Sequence, residues 1–398
     1  MAEQFLHGVE VVEVDGGARS ITTASSSIIG IVGTAPRADE AAFPLNTPVL
    51  VPNSRALAAK LLTGAAGADG DGTLPDALDS IFDQAGAVVI VVRVAKGVDE
   101  PATIANVLGG VNSVSGVYEG VHALLAAESV TGYKPRLLLA PGFTHQRTGG
   151  TANPVVAELA GIANKLRAVI LADGPSTTDA AAIAAAGDTG SRRVFLTDPR
   201  VLKVNAAGAI VPAYSSAVVA GVIARTDNER GWWASPSNQE VFGIVGTERA
   251  IDFSMADPTS RSNLLNGKNV ATIVRQGGFR LWGNRTTSVD PKWAFLCVVR
   301  TADIIADSLQ AAHLWAVDRG ITKTYVEDVR EGVNAFLRDL KSRGAILGGT
   351  CWLDADLNSA ANIAAGKVFW DFDFTPVYPA EHLTFRSHLV ADYITEIF

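Results

Sequence analysis

The first half of the chain alternates between short, nearly continuous apolar runs and longer segments of helical periodicity. The runs are SIIGIV at 27–32, AVVIVVRV at 87–94, RLLLA at 136–140, AVIL at 168–171 and VFLT at 194–197. Runs with no polar face suit strands covered on both sides, as in a largely parallel sheet. Helical patterns fall between or after them, at 55–62, 75–84, 120–129, 154–166, 178–186 and 215–225. Strand and helix alternating at this spacing predicts an α/β doubly wound domain. The 87–94 run is expected at its centre. The small residues of 215–225 predict close helix packing, 38–52 and 64–72 read as loops, and 226–267 reads as a connector. Within the connector, the pair Trp232 and Trp233 is expected to fill space under a loop, with an intersubunit contact as the other reading.

The pattern changes after residue 265. Asp290 is placed to cap a helix with Pro291 at its first position, where the missing N–H costs nothing. If the helix runs unbroken over 291–319 to a stop at Gly320, it spans roughly 44 Å. A second helix over 325–343 carries Val326, Val329, Val333, Phe336, Leu337 and Leu340 as one apolar stripe. Arg330, Glu331, Asn334, Arg338 and Lys341 are assigned to its polar face. Residues 368–375 then alternate, with Val368, Trp370, Phe372 and Phe374 on one side and Asp371 and Asp373 on the other. Leu383, Phe385, Leu389, Tyr393 and Ile397 keep the same period of two. This predicts a second, α+β domain.

Both chain ends are β-prone. GVEVVEV at 8–14 offers Val9, Val11, Val12 and Val14, and YITEIF offers Tyr393, Ile394, Ile397 and Phe398. Such ends either pair within their own domain or present open edges to another chain.

At 398 residues the chain is longer than one ordinary domain, so two or more are expected. No uninterrupted apolar run of about 18 residues occurs, and the N-terminus lacks a basic region followed by an apolar core. Neither a spanning helix nor a secretory signal is predicted, and the expected place of synthesis is a cytoplasm. Cys297 and Cys351 are read as reduced packing residues. The net charge of −8 argues against general affinity for nucleic acid or anionic membrane. Its distribution is uneven. Residues 268–343 carry 12 Lys/Arg against 8 Asp/Glu, while the remainder carries 21 against 33. A mildly basic C-terminal domain beside an acidic body reads either as ordinary fluctuation of charge along a chain or as an inner domain that faces an acidic protein partner.

Candidate chemistry is sparse. None of the six histidines lies in an HExxH motif, and there is no GxSxG elbow or phosphate-binding loop. GIVGTAP at 30–36 has too few glycines, wrongly spaced, for a dinucleotide site. His145, in PGFTH after a predicted strand, has the best local setting for catalysis, and Asp371 with Asp373 could form a carboxylate pair, although alternate strand positions more often face solvent. Neither has nameable partners, so no catalytic residue, metal or cofactor is expected.

The stretch 281–344 adds what periodicity does not. LWGNRT, the WAF at 293–295, HLWAVDRGITKTYV and DLKSRGA closely resemble the conserved C-terminal domain of contractile-tail sheath proteins of myophages and R-type bacteriocins. WASPSN at 233–238 fits the same family, and the likeness continues weakly through the α/β region. The resemblance implies a structural subunit with four parts. These are an N-terminal arm at 1–20, a subtilisin-like, non-catalytic α/β outer domain at 21–265, an α+β inner domain at 266–390 and a C-terminal arm at 391–398. It implies stacked hexameric rings around a tail tube, with arm strands exchanged between subunits and Arg330, Asn334, Arg338 and Lys341 facing the tube. Baseplate and tail-terminator proteins are the other implied partners, and the virion tail or bacteriocin particle is the implied location. The rival reading from the residues alone is a soluble α/β hydrolase with an accessory domain.

Overall fold

The computed structural model describes residues 21–65, 70–205 and 207–397. The N-terminal strand expectation at Val9, Val11, Val12 and Val14, and Phe398 at the other end, lie outside them.

Six strands run parallel in the order Val270–Arg275, Val194–Thr197, Val169–Asp173, Leu137–Leu139, Ile29–Thr34 and Val88–Val94. Antiparallel strands extend both sides. Val49–Pro52 is one edge, and Phe279–Trp282 followed by Glu240–Val241 forms the other. Alternate residues feed two cores. Ile29, Ile31, Val89 and Val91 pack with the helices Leu74–Phe82 and Ser215–Arg230, whereas Val32, Val92 and Val94 pack with Pro154–Leu166 and Asp179–Thr189. Helices on both faces make the body doubly wound, as the sequence predicts. The small residues of 215–225 serve as expected: a Cβ on Gly221 would lie 2.6 Å from the Ile81 carbonyl.

Two sequence expectations need correction here. The Val88–Val94 strand is next to the edge rather than central, because residues 49–52, read as loop, turn back and pair outside it. The expected boundary between 265 and 266 is crossed by the sheet, since 270–282 contribute two of its strands. The pairing of Val270 and Ala271 with Leu196 and Thr197 draws this hairpin into the body.

The second unit is smaller. Its core joins Ile304 and Ile305 to Val333, Phe336, Leu337 and Leu340 of the helix Lys323–Ser342, and to Ile346 and Cys351 of a two-stranded hairpin. Trp232 is buried in the same core with Trp233 edge-on at 4.7 Å, so the tryptophan pair is filling. Both cysteines are buried and free, and burial pushes the Cys297 thiol up to about 11.

The helix joining the units is shorter than predicted. Asp290 does cap a turn, accepting from Lys292 N at 2.9 Å, but that turn, Pro291–Trp293, is a single 3-10 turn. Phe295 is extended and bridges Arg285, so the α-helix begins afresh at Leu296 and ends at Ala312. Its first turn packs in the sheet core through Leu296 and Val299, and its second half in the smaller core through Ile304 and Ile305. No helix among the described residues is long and apolar enough to cross a membrane.

Candidate assembly surfaces and the strand-end crevice

In open α/β sheets, chemistry usually sits beyond the carboxyl ends of the parallel strands, and polar residues do gather there. Asp173, last in its strand, is fully buried and accepts from Ser216 N at 2.8 Å and Ser216 Oγ at 2.6 Å. Burial pushes its carboxyl up to about 6, against the lowering by both Ser216 bonds. Asp198 takes Ser176 N at 2.6 Å and an ion pair with Arg249. Glu248 is held by Ser176 Oγ at 2.6 Å and Arg200 at 2.9 Å. Asp179 joins Arg249 to Arg261.

His145 lies nearby, its ring 6.4 Å from that of Tyr214, with burial and then Arg200 lowering its pKa. Its Nδ1 is buried without a partner, and among the described residues no hydroxyl or thiol is hydrogen-bonded to the ring. A general base must reach the proton that it removes. Each acid here is held by an arginine, a backbone N–H or a serine hydroxyl, with three arginines facing four carboxylates.

The C-terminal unit is built differently. Ile346–Leu353 pairs antiparallel with Trp370–Pro376, from Ile346 opposite Pro376 to Leu353 opposite Trp370, with a bulge at Leu347. The second strand was predicted. The first was not, because Gly348 and Gly349 interrupt its alternation. One face lies on the helix Lys323–Ser342. Among the described residues no third strand joins this sheet. A two-stranded ribbon is marginal by itself, and unpaired edges invite another strand.

The side chains assigned to a polar helix face divide. Asn334 is turned into the protein, where its Oδ1 accepts from Cys351 N at 2.8 Å and its Nδ2 donates to Cys351 O at 3.1 Å. The expectation that Asn334 faces a tube is therefore corrected: it caps the backbone of the hairpin. The signal available in sequence was its position at the border of the apolar stripe, next to Val333. Arg330 is half-buried and paired with adjacent Glu331 at 3.1 Å. Arg338 and Lys341 are exposed and make no ion pair among the described residues.

The final segment departs from its predicted strand. Its start is tied to the body by Tyr378 against Phe295, at 6.3 Å between rings, and by Glu381 with Arg285 at 2.7 Å. Residues 377–391 then form neither helix nor strand, and Asp392–Ile397 is a 3-10 turn. Alternation alone does not make a strand, and among the described residues no strand pairs with this segment. Leu383, Phe385, Leu389, Tyr393, Ile394 and Ile397 are all more than half exposed, Phe385 at 93% and Leu389 fully. Large apolar side chains exposed together along one segment are a common feature of interaction surfaces.

Comparison with known proteins gives this arrangement a context. Residues 26–94 match the tail sheath protein Gp18 domain III N-terminal region, 116–287 the phage tail sheath protein central domain, and 288–389 the phage tail sheath C-terminal domain. A putative prophage major tail sheath protein of Pseudomonas aeruginosa is 45% identical over 394 residues, 99% of this chain and 98% of that one. The tail sheath protein of Escherichia phage P2 is 38% identical over 99% of this chain and 98% of its own. Among solved structures, the helical sheath of the anti-feeding prophage in its contracted state aligns with a TM-score of 0.71 at 19% identity. It covers 97% of this chain and 99% of that one. The sheath complex of the extracellular contractile injection system PVC, also contracted, aligns at 0.67 and 18% identity, over 98% and 99%. The two solved sheaths share the mixed α/β fold, and nothing in these comparisons favours a hydrolase. With full-length relatives at 45% and 38% identity and matches spread along its length, this chain belongs to the phage tail sheath family.

Proposed function

We propose that this chain builds a contractile sheath in which neighbouring subunits are joined by strands exchanged with the C-terminal hairpin. The observation that carries the proposal is the pairing of two incomplete features in one subunit. A two-stranded sheet has an edge strand, Trp370–Pro376, with no outer partner among the described residues, and a terminal segment exposes six large apolar side chains. Strand addition satisfies both, since backbone hydrogen bonds supply the affinity and alternate side chains find pockets. Tyr393, Ile394 and Ile397 supply the C-terminal arm, with Phe398 beyond the described residues. Val9, Val11, Val12 and Val14 supply the other arm.

On this reading the subunits close into six-membered rings stacked along a tail tube, capped by baseplate and terminator proteins and assembled in the host cytoplasm. Closed rings follow from a head-to-tail contact whose rotation completes a circle. The subtilisin-like body does no chemistry and serves as a rigid outer block. Contraction is rigid-body movement of these blocks about the arms, driven by better packing between subunits and not by nucleotide hydrolysis. Arg338 and Lys341, with Arg330 beside them, face the tube. Electron microscopy of the purified chain provides the test. Tubes or stacked rings are expected, and a protein that stays monomeric at every concentration and salt would overturn the proposal.

A further inference from the structure

The helix Leu296–Ala312 docks on the body through an unusual concentration of charge. Asp307 pairs with Arg136, with Arg167 at 2.7 Å and with Lys134 at 3.2 Å; Asp303 pairs with Arg193; and Arg300 pairs with Asp227, at 2.8 Å for one of its bonds. Five cations therefore meet three carboxylates along one seam. Burial works against the Asp307 carboxylate, but its three cationic partners outweigh burial and hold it below the usual range. Cations exceed carboxylates by two along the seam, with Lys134 and Arg167 reaching partly into solvent and Arg136, Arg193 and Arg300 buried.

A small cavity opens in this seam, lined by Ser26, Arg136, Arg167, Arg300 and Asp303 among others. It has room for about one water-sized particle. Arg136 is 92% buried, given its 8% exposure, and its Nη1 is spent on Leu166 O at 3.0 Å and on Asp307. Its Nε is buried with no acceptor among the described residues. Ser26, on the same lining, is engaged elsewhere: its hydroxyl donates to Asp227 at 2.8 Å and its carbonyl accepts from Arg300 at 3.1 Å. A buried guanidinium N–H beside a cavity of net positive surroundings calls for a small acceptor carrying negative charge.

The geometry points to a binding site here for one small monovalent anion of the halide class, with Arg136 Nε as donor and Arg167 and Arg300 supplying the field. Such an anion binds only the folded subunit, because these arginines come together from separated parts of the chain. Chloride should therefore stabilise the fold saturably, beyond its effect as general salt.

The test compares thermal melting of the full chain in sodium chloride and sodium gluconate at equal ionic strength. Between about 5 and 200 mM, chloride should raise Tm by about 1–3 °C more than gluconate, with saturation. Arg136→Lys keeps a cation for Asp307 but lacks the Nε donor, and should lose that difference. If Arg136→Lys does not fold, bromide-soaked crystals of the wild type decide, with an anomalous peak expected beside Arg136. Identical melting in the two salts, an undiminished chloride effect in Arg136→Lys, or no bromide peak would each assign the cavity to water and overturn the inference.

Discussion

Asn334 and Cys351 exchange two hydrogen bonds across the seam between helix and hairpin, at 2.8 Å and 3.1 Å. One side chain thereby satisfies both backbone groups of a strand residue on the side away from its partner strand. A strand added along that edge would have to displace Asn334, whereas among the described residues no such cap lies along Trp370–Pro376. Replacing Asn334 with Leu leaves a buried N–H and C=O unpaired, which costs about 1–3 kcal/mol. Urea melting of the isolated subunit measures this, and an unchanged midpoint would mean that water takes over the role at no cost.

Removing residues 383–398 should separate assembly from folding. The segment is exposed and contributes no regular strand to its own subunit, so stability should change by less than about 0.5 kcal/mol. Tube formation should be lost. A truncated chain that unfolds, or one that still forms tubes, contradicts strand exchange through this arm.

Reversing the charge at Arg338 and Lys341 should weaken co-assembly with a tail tube while leaving the melt of the subunit unchanged. Exposed charges contribute only about 0–1 kcal/mol each, but a ring repeats them. The wild-type interaction should weaken as salt rises and its range is screened. Co-assembly that is indifferent to both salt and substitution places the tube contact elsewhere.

Asp173 predicts a pH dependence of definite sign. Its folded pKa, raised from 3.8 to about 6, means that the folded state holds the proton more tightly than the unfolded one. Stability from this group is therefore greatest below about pH 4 and falls as pH rises through about 6, by roughly 3 kcal/mol in all. Asp179, Glu248 and Asp307, whose pKa values are lowered, pull the other way. The informative quantity is the difference between wild type and Asp173→Asn. That difference should move in favour of the variant between pH 4 and 6, and a constant difference would remove Asp173 as its source.

Arg300 and Asp227 form a pair with side chains 4% and 2% exposed. Asp227→Ala strands a buried guanidinium and should cost about 3–5 kcal/mol. The double change Arg300→Met with Asp227→Leu should recover most of that loss. Equal destabilisation by both variants would argue that packing, not the unpaired charge, sets the cost.

The body of the fold was legible because its strands are apolar on both faces and its helices are capped locally. VFLT at 194–197 and the helix 154–166 have the limits that the sequence suggests, the latter capped by Asn153 through Val155 and Val156. What was not legible depends on partners distant in sequence. Phe295 is extended because it bridges Arg285, which no helical periodicity reveals. Ile346–Leu353 carries two glycines yet is a strand, since it lies on Phe336 and Leu340 and pairs with 370–376. Leu383 to Ile397 have the reverse character, a strand pattern with no strand paired to it among the described residues. Asn334 belongs to the same class: polar in sequence, it faces inward because a strand passes beneath it.

The helix Leu296–Ala312 also sets the mechanics of the subunit. A pull on the hairpin reaches the sheet through the Lys323–Ser342 helix and this rod, whose two halves are embedded in different cores, and also through Tyr378 and Glu381 on Phe295 and Arg285. Its ion pairs to Arg193, Arg136 and Arg167 leave from Asp303 and Asp307, one turn apart, so tension along the axis would load them in shear, together. A subunit built this way should transmit force between its neighbours before either core deforms.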